Sequence, residues 1–258
     1  MSSFITYDIH DNGICTVILN REPVNALSFD LLKDLKNVFL NLKDNKDIKV
    51  VILKTNLKHF SAGADLKERK IMSKDDAGIA LDNFNDCFNT IESFPMPTIC
   101  LINGYCLGGG AELSLACDFR IGSEECLVGF PEVSIGIIPG AGGTQRLPKV
   151  IGISNAKYWI YTAKKFNAKE ALTFGFLNFL CESDNLYDTG VDLAKNIISN
   201  APIAVKSSKK AINDGYNKVL NDGLGIEREN YNISLNTKDR DEALDAFLNK
   251  RKPNWSNE

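Results

Sequence analysis

Apolar positions along the chain change their spacing from segment to segment. Residues 15–19, CTVIL, form a short β-branched run that predicts a strand, and NREPVNAL reads as the loop after it. From Ser28 onward Leu31, Leu32, Leu35, Val38, Phe39 and Leu42 recur at helical spacing, which predicts a helix capped by the Ser28 hydroxyl. VVIL at 50–53 predicts a second strand, and HFSAGADLKE at 59–68 leaves it through small residues. A helix is expected from about Lys74 to Ile91, with Ser73 and Asp76 as a capping box and Pro95 and Pro97 beyond its end. TICLI at 98–102, DFRIG and CLVGF read as further strands, and PGAGGTQRL at 139–147 as a glycine-rich turn into another helix.

Strands alternate with helices to about Leu180, and from Leu186 the pattern is helical, punctuated by Pro202 and by NDGY and NDGL. That order predicts an α/β core followed by a helical C-terminal subdomain, whose apolar stripes serve either the core or a subunit contact. No internal repeat or low-complexity tract interrupts it.

Composition narrows the function. With 258 residues, 44% hydrophobic and 24% charged, the chain can bury a substantial core. A net charge of -3 and a pI near 5.6 give no basic footprint for nucleic acid. The start, MSSFITYDIHDNG, has neither a signal-peptide nor a transit-peptide pattern, and no apolar run approaches a membrane span. Seven cysteines, Cys15, Cys87, Cys100, Cys106, Cys117, Cys126 and Cys181, are scattered and never form C-x-x-C, so reduced thiols in a cytoplasmic setting are expected. The two histidines, His10 and His59, leave little scope for an imidazole metal site or a Ser/His/Asp triad. Acid–base work falls to carboxylates, with no metal expected.

CLGGGAELSLACDFR at 106–120 concentrates the candidate chemistry. Gly108, Gly109 and Gly110 stand between a strand and a helix, where amides are unpaired and an oxygen can approach closely. The phosphate-loop patterns G-x-x-x-x-G-K-[ST] and G-x-G-x-x-G are both absent. Glu112 lies in the first helical turn, and Glu132 follows Pro131 in GFPEVSIGIIPGAGG. Each could be ordinary, one a dipole-favoured helix residue and the other a solvated loop residue. Together, beside an amide-lined hollow, they are equipped to hold a water and move protons next to a developing oxyanion.

HFSAGADLKE, NGYCLGGGAELSLACDFRIG and FPEVSIGIIPGAGGTQRLPKVIG resemble, in this order, the signature blocks of the crotonase superfamily, specifically its enoyl-CoA hydratases. The tail DEALDAFLNKRKP is also similar to that family's end. The resemblance implies a spiral core of repeated ββα units over residues 1–198 and a helical trimerisation subdomain over 199–258, in a homotrimer or a dimer of trimers. It implies that the amides of Ala64 and Gly109 receive the thioester carbonyl, and that Glu112 and Glu132 hold the water, with Glu132 giving the proton to Cα. Backbone around Val24, Ala62, Asp65, Leu66 and Gly108 would meet coenzyme A, with Arg21 and Lys67 as phosphate partners. Pro131 and Gly140 would line the acyl channel, and Phe247 and Lys250 would meet the coenzyme A of a neighbouring subunit. Coenzyme A enters as part of the substrate, and no separate cofactor is implied.

Both glutamates favour hydration over double-bond isomerisation, because an isomerase of this superfamily commonly lacks the carboxylate at the position of Glu112. GADLKER at 63–69 particularly resembles the methylglutaconyl-CoA hydratases of leucine breakdown, which would require a cation facing the distal carboxylate; Arg69 and Lys70 are candidates. A noncatalytic RNA binder using Lys33, Lys36 and Lys43 is the rival from another class. Asp30, Asp34 and Asp44 interleave with those lysines and make a solvated helix face the simpler reading. A degenerate, scaffolding homologue is opposed by the intact Ala64, Gly109, Glu112 and Glu132.

Overall fold

The computed structural model describes residues 4–258. Its first strand, β1 (Ile5–Ile9), turns back on β2 (Ile14–Leu19) as an antiparallel hairpin. After β2 come α1 (Phe29–Leu42), β3 (Val50–Thr55), α2 (Leu66–Ile71), α3 (Lys74–Glu92) and β4 (Thr98–Ile102). β5 (Tyr105–Leu107), α4 (Gly109–Leu115), β6 (Phe119–Ser123) and β7 (Leu127–Gly129) follow. Then come α5 (Gly143–Ile151), α6 (Ile153–Thr162), β8 (Lys165–Asn167), α7 (Ala168–Thr173) and β9 (Phe179–Cys181). Four helices complete the chain: α8 (Leu186–Ile198), α9 (Pro202–Gly215), α10 (Leu220–Leu235) and α11 (Lys238–Leu248).

The main sheet has the order β1-β2-β3-β4-β6-β9 and is parallel beyond the first hairpin. A smaller sheet, β5-β7-β8, stands beside it. Parallel strands covered on both faces must be apolar on both, and β3 and β4 are: Val50 to Leu53 and Thr98 to Ile102 are all buried. One face packs on α1 and α3 through Leu35, Phe39, Phe84 and Phe88, and the other meets α8 through Leu101, Leu186 and Ala194. All seven cysteines are free thiols.

The two long helices expected from periodicity form with the caps their sequences predict. Ser28 accepts from the Leu31 amide, and Ser73 and Asp76 close a reciprocal capping box on α3. α2 has no counterpart in the periodic reading, because none of its six residues is buried. It forms because Asp65 caps it, accepting from the amides of Lys67 and Glu68.

Candidate active site

The site grows from the end of β5. At Gly108 the backbone turns at φ +52 and ψ -123, and α4 begins immediately, with all seven of its residues buried. The three glycines have three different functions, which corrects the expectation that all their amides are free. Gly108 donates its amide to Gly129 O at 2.9 Å. At Gly110 a Cβ would stand 2.7 Å from the Ser61 Cβ, so this glycine lets the helix lie against the 61–65 segment. The Gly109 amide donates to no acceptor among the described residues.

Segment 61–65 runs beside β5 through a parallel bridge between Ser61 and Cys106. Its amides are consumed one by one: Ser61 by Tyr105 O, Ala62 by Val24 O, Gly63 by Ser61 Oγ, and Asp65 by Leu27 O. The Ala64 amide alone of these has no acceptor among the described residues, and it lies 3.5 Å from where a Cβ on Gly109 would be. Two unpaired amides from separate segments therefore stand side by side, the arrangement that receives a developing oxyanion.

Both carboxylates reach this place. Glu112 is 3% exposed, and its Oε1 accepts from the amides of Ala141 at 2.9 Å and Gly143 at 2.8 Å. Burial pushes its carboxyl above the ordinary range, while the two amides, Arg146 and Arg69 pull it back. Those donors favour the anion. Glu132 opens a 3₁₀ turn, Glu132–Ile135, and is 9% exposed, with an Oε2 that is buried without a partner among the described residues. Burial pushes its carboxyl up to about 7, with the Glu112 charge adding to the rise. Its own main-chain amide and the Arg69 charge pull the other way without cancelling the rise, so the carboxyl keeps its proton up to about neutrality. The surroundings of the pair thus differ: one oxygen of Glu112 holds two amide donors, while Glu132 Oε2 has none among the described residues.

Around them lies a cavity of about 700 Å³. Ala62, Ala64, Leu66, Gly108, Gly109, Glu112, Pro131, Glu132 and Gly140 of the expected set line it, together with Arg69, Leu81 and Phe84. A larger hollow of about 810 Å³ against α9 and α10 holds neither carboxylate, so size does not identify the site. The other expected residues stand outside the lining. Arg21 is tied to Asp65 at 2.7 Å and to Ala26 O at 2.8 Å, Val24 gives its carbonyl to Ala62, and Lys67 is exposed. Phe247, at the end of α11, is 82% exposed, and Lys250 lies just beyond it. His59 accepts from the Tyr105 amide and stacks on that ring at 4.3 Å, while Lys36 pairs with Asp86 at 3.2 Å. Among the described residues no group of three or more His, Cys, Asp or Glu could hold a metal ion, and no helix is long and apolar enough to cross a membrane.

Leu81 and Phe84 are site residues that periodicity assigns only to a buried helix face, and Arg69 is placed in the cavity only by the cap that creates α2. Arg146, deep behind Glu112, carries no signal in the sequence beyond its place in a glycine-rich turn.

Known proteins resemble this chain over nearly all of its length. Residues 10–258 match the family described as enoyl-CoA hydratase/isomerase. The short-chain-enoyl-CoA hydratase of Clostridium acetobutylicum is 39% identical over 244 residues, covering 94% of each chain. Human mitochondrial methylglutaconyl-CoA hydratase is 39% identical over 254 residues, covering 96% of this chain and 75% of that one. The crystal structure of an enoyl-CoA hydratase from Bacillus anthracis superposes with a TM-score of 0.96 at 41% identity, over 99% of this chain and all of the other. The fold is thus the crotonase fold, and the chain belongs to the enoyl-CoA hydratase/isomerase family.

Proposed function

We propose that the protein is an enoyl-CoA hydratase, adding water reversibly across the trans-2 double bond of an enoyl thioester to give the 3-hydroxyacyl thioester. The observation that carries this reading is the pair of buried carboxyls, one held by two amides and the other with an unpartnered oxygen, beside two unpaired amides. The thioester oxygen accepts from the amides of Ala64 and Gly109. Glu112, ionised, takes a proton from a water whose oxygen bonds to Cβ; the π electrons move toward the thioester, and Glu132 gives its proton to Cα. One water has then been added, the proton count of the pair is unchanged, and a proton passing from Glu112 to Glu132 resets the site.

Loss of the enoyl-thioester ultraviolet absorbance with crotonyl-CoA tests this. Glu132→Gln and Glu112→Gln are each expected to lower kcat on the order of a hundred- to ten-thousandfold. Wild-type turnover in either folded variant would sink the mechanism. Production of conjugated enoyl-CoA from a 3-enoyl substrate, without hydration, would make the protein an isomerase.

A second observation bears on the acyl group. Arg69 lines the cavity with its guanidinium 5.6 Å from the Phe84 ring centroid and has no carboxylate partner among the described residues. Asp65 is engaged by Arg21, and Glu68 accepts from the Phe29 amide. Lys70, by contrast, is exposed and outside the lining. A half-buried guanidinium without acceptors is well matched to an acyl chain ending in a carboxylate, as in methylglutaconyl-CoA. The expected result is a kcat/KM ratio of glutaconyl-CoA over crotonyl-CoA that falls about ten- to a hundredfold in Arg69→Met, the worth of one charge-assisted pair. An unchanged ratio would remove this preference.

The same reading includes self-association. Ile212 on α9, Val219 and Leu220 at the start of α10, and Phe247 and Leu248 on α11 are between 65% and 82% exposed, apolar surface that supports a homotrimer or dimer of trimers. Sedimentation of the purified protein tests it.

A further inference from the structure

Arg146 is buried in α5, 8% exposed, and does not line the cavity, although its charge pulls the Glu112 carboxyl downward. Four bonds from its guanidinium are satisfied inside the protein. Nε and Nη2 both donate to Glu92 Oε2, at 3.1 and 2.7 Å, Nη2 donates to Asn89 Oδ1 at 2.7 Å, and Nη1 donates to Ala141 O at 3.1 Å. The first three fix the guanidinium to the last turns of α3. The fourth reaches the residue whose own amide holds Glu112 Oε1.

Ala141 is therefore held at both of its polar ends, its N–H on the carboxylate and its C=O on the guanidinium. Gly142, the next residue, stands at φ +99 directly over Arg146; a Cβ there would be 2.0 Å from Nη1. Gly143, whose amide is the other donor to Oε1, would place a Cβ 2.9 Å from that same oxygen. The turn is shaped on one side to the guanidinium and on the other to the carboxylate.

We propose that Arg146 is a positioning residue for Glu112, using α3 as its anchor to hold the 141–143 turn so that both amides stay on Oε1 and the second carboxylate oxygen is left for the water. The inference goes beyond the hydratase reading and, for its kinetic consequence, rests on it. Without the guanidinium the Ala141 carbonyl loses its buried donor and the turn loses its anchor. Misplacement of a catalytic group by about 1 Å lowers rates on the order of a hundredfold.

The charged groups facing Glu112 are Arg146 from α5, Arg69 from α2 and Glu132 from the turn after β7. Removing the first, together with the amides it holds, moves the Glu112 midpoint upward.

The test is a double-mutant cycle with a titration beside it. Arg146→Met is expected to lower kcat ten- to a hundredfold with KM little changed, and to lower the single-turnover rate far less in the Glu112→Gln background, because the two act as one unit. Carbon-13 NMR of the Glu112 carboxyl, which needs no turnover, should show its midpoint raised in Arg146→Met and partly restored in Arg146→Lys. If Arg146→Met does not fold, Glu92→Gln loosens the anchor from a side chain that is 45% exposed, and a smaller shift in the same direction is expected. Equal losses in both backgrounds, or an unmoved Glu112 midpoint, overturns the proposal. Wild-type turnover by Glu112→Gln alone would instead overturn the two-carboxylate reading, with the NMR midpoint still deciding for or against Arg146.

Discussion

Gly108 and Glu132 meet across the cavity: a Cβ on Gly108 would stand 2.8 Å from Glu132 Oε1. The glycine also occupies a backbone region closed to other residues, at φ +52 and ψ -123. Gly108→Ala is expected to lose about 1–3 kcal/mol of stability through strain, and to lose activity by about a hundredfold through the displaced carboxyl. Urea denaturation and crotonyl-CoA hydration measure the two separately. Full activity would mean that Glu132 has room to retreat.

The pH profile follows from the division of one proton over two carboxyls. Hydration starts with the proton on Glu132 and ends with it on Glu112, and dehydration starts where hydration ends. The singly protonated pair is active in both directions, so kcat/KM for crotonyl-CoA and for 3-hydroxybutyryl-CoA should trace the same bell. Its alkaline limb should fall through about 7, where Glu132 loses its proton, and its acid limb should fall where Glu112 gains one. A rate flat from pH ~6 to ~9 would remove Glu132 as the donor.

Asp65 gathers three donors at one carboxylate: it caps α2 through the amides of Lys67 and Glu68, and it binds Arg21 at 2.7 Å. Asp65→Ala should destabilise the protein by about 0.5–2 kcal/mol through the lost cap alone. Because α2 follows Ala64 directly and carries Arg69 into the cavity, KM should rise as well. Asp65→Asn keeps a cap and loses the ion pair, so its stability should fall between wild type and Asp65→Ala, as read by urea midpoint.

Arg120, 4% exposed, donates to Phe176 O at 2.7 Å, Cys117 O at 2.9 Å and Ser114 O at 3.3 Å. These bonds tie the end of α4 to the segment leading into β9. Arg120→Met would leave buried carbonyls without donors, and a loss of about 2–5 kcal/mol is expected from urea denaturation. A loss below 1 kcal/mol would show that other donors take over, since one orphaned carbonyl alone costs about that much.

The parts of this protein that were legible in its sequence are those set by neighbours along the chain. α1 and α3 could be read because buried residues recur at helical spacing and Ser28 and Ser73 announce their starts. Glu112 and Glu132 stood out as acids among apolar residues beside glycines. α2 and β1 could not be read, because α2 buries none of its residues and β1 buries only Ile5. The difference between Gly108, Gly109 and Gly110 depends on Gly129 and Ser61, which are distant in sequence. The hold of Arg146 on Ala141 needs positions 89, 92, 112, 141 and 146 to meet in space, and no periodicity reports such a meeting.

The amides of Ala64 and Gly109 belong to the main chain, and the bridges Leu27–Ala64 and Ser61–Cys106 fix the segment that carries one of them. Apart from a change to proline, no codon change removes such a donor, whereas many single mutational steps replace a carboxyl. Heritable variation therefore falls unevenly on the two halves of the cavity. A lineage built on this frame can alter how protons are delivered to a bound acyl group while the cradle for its carbonyl passes on unchanged, so hydration and isomerisation can diverge without the fold being rebuilt.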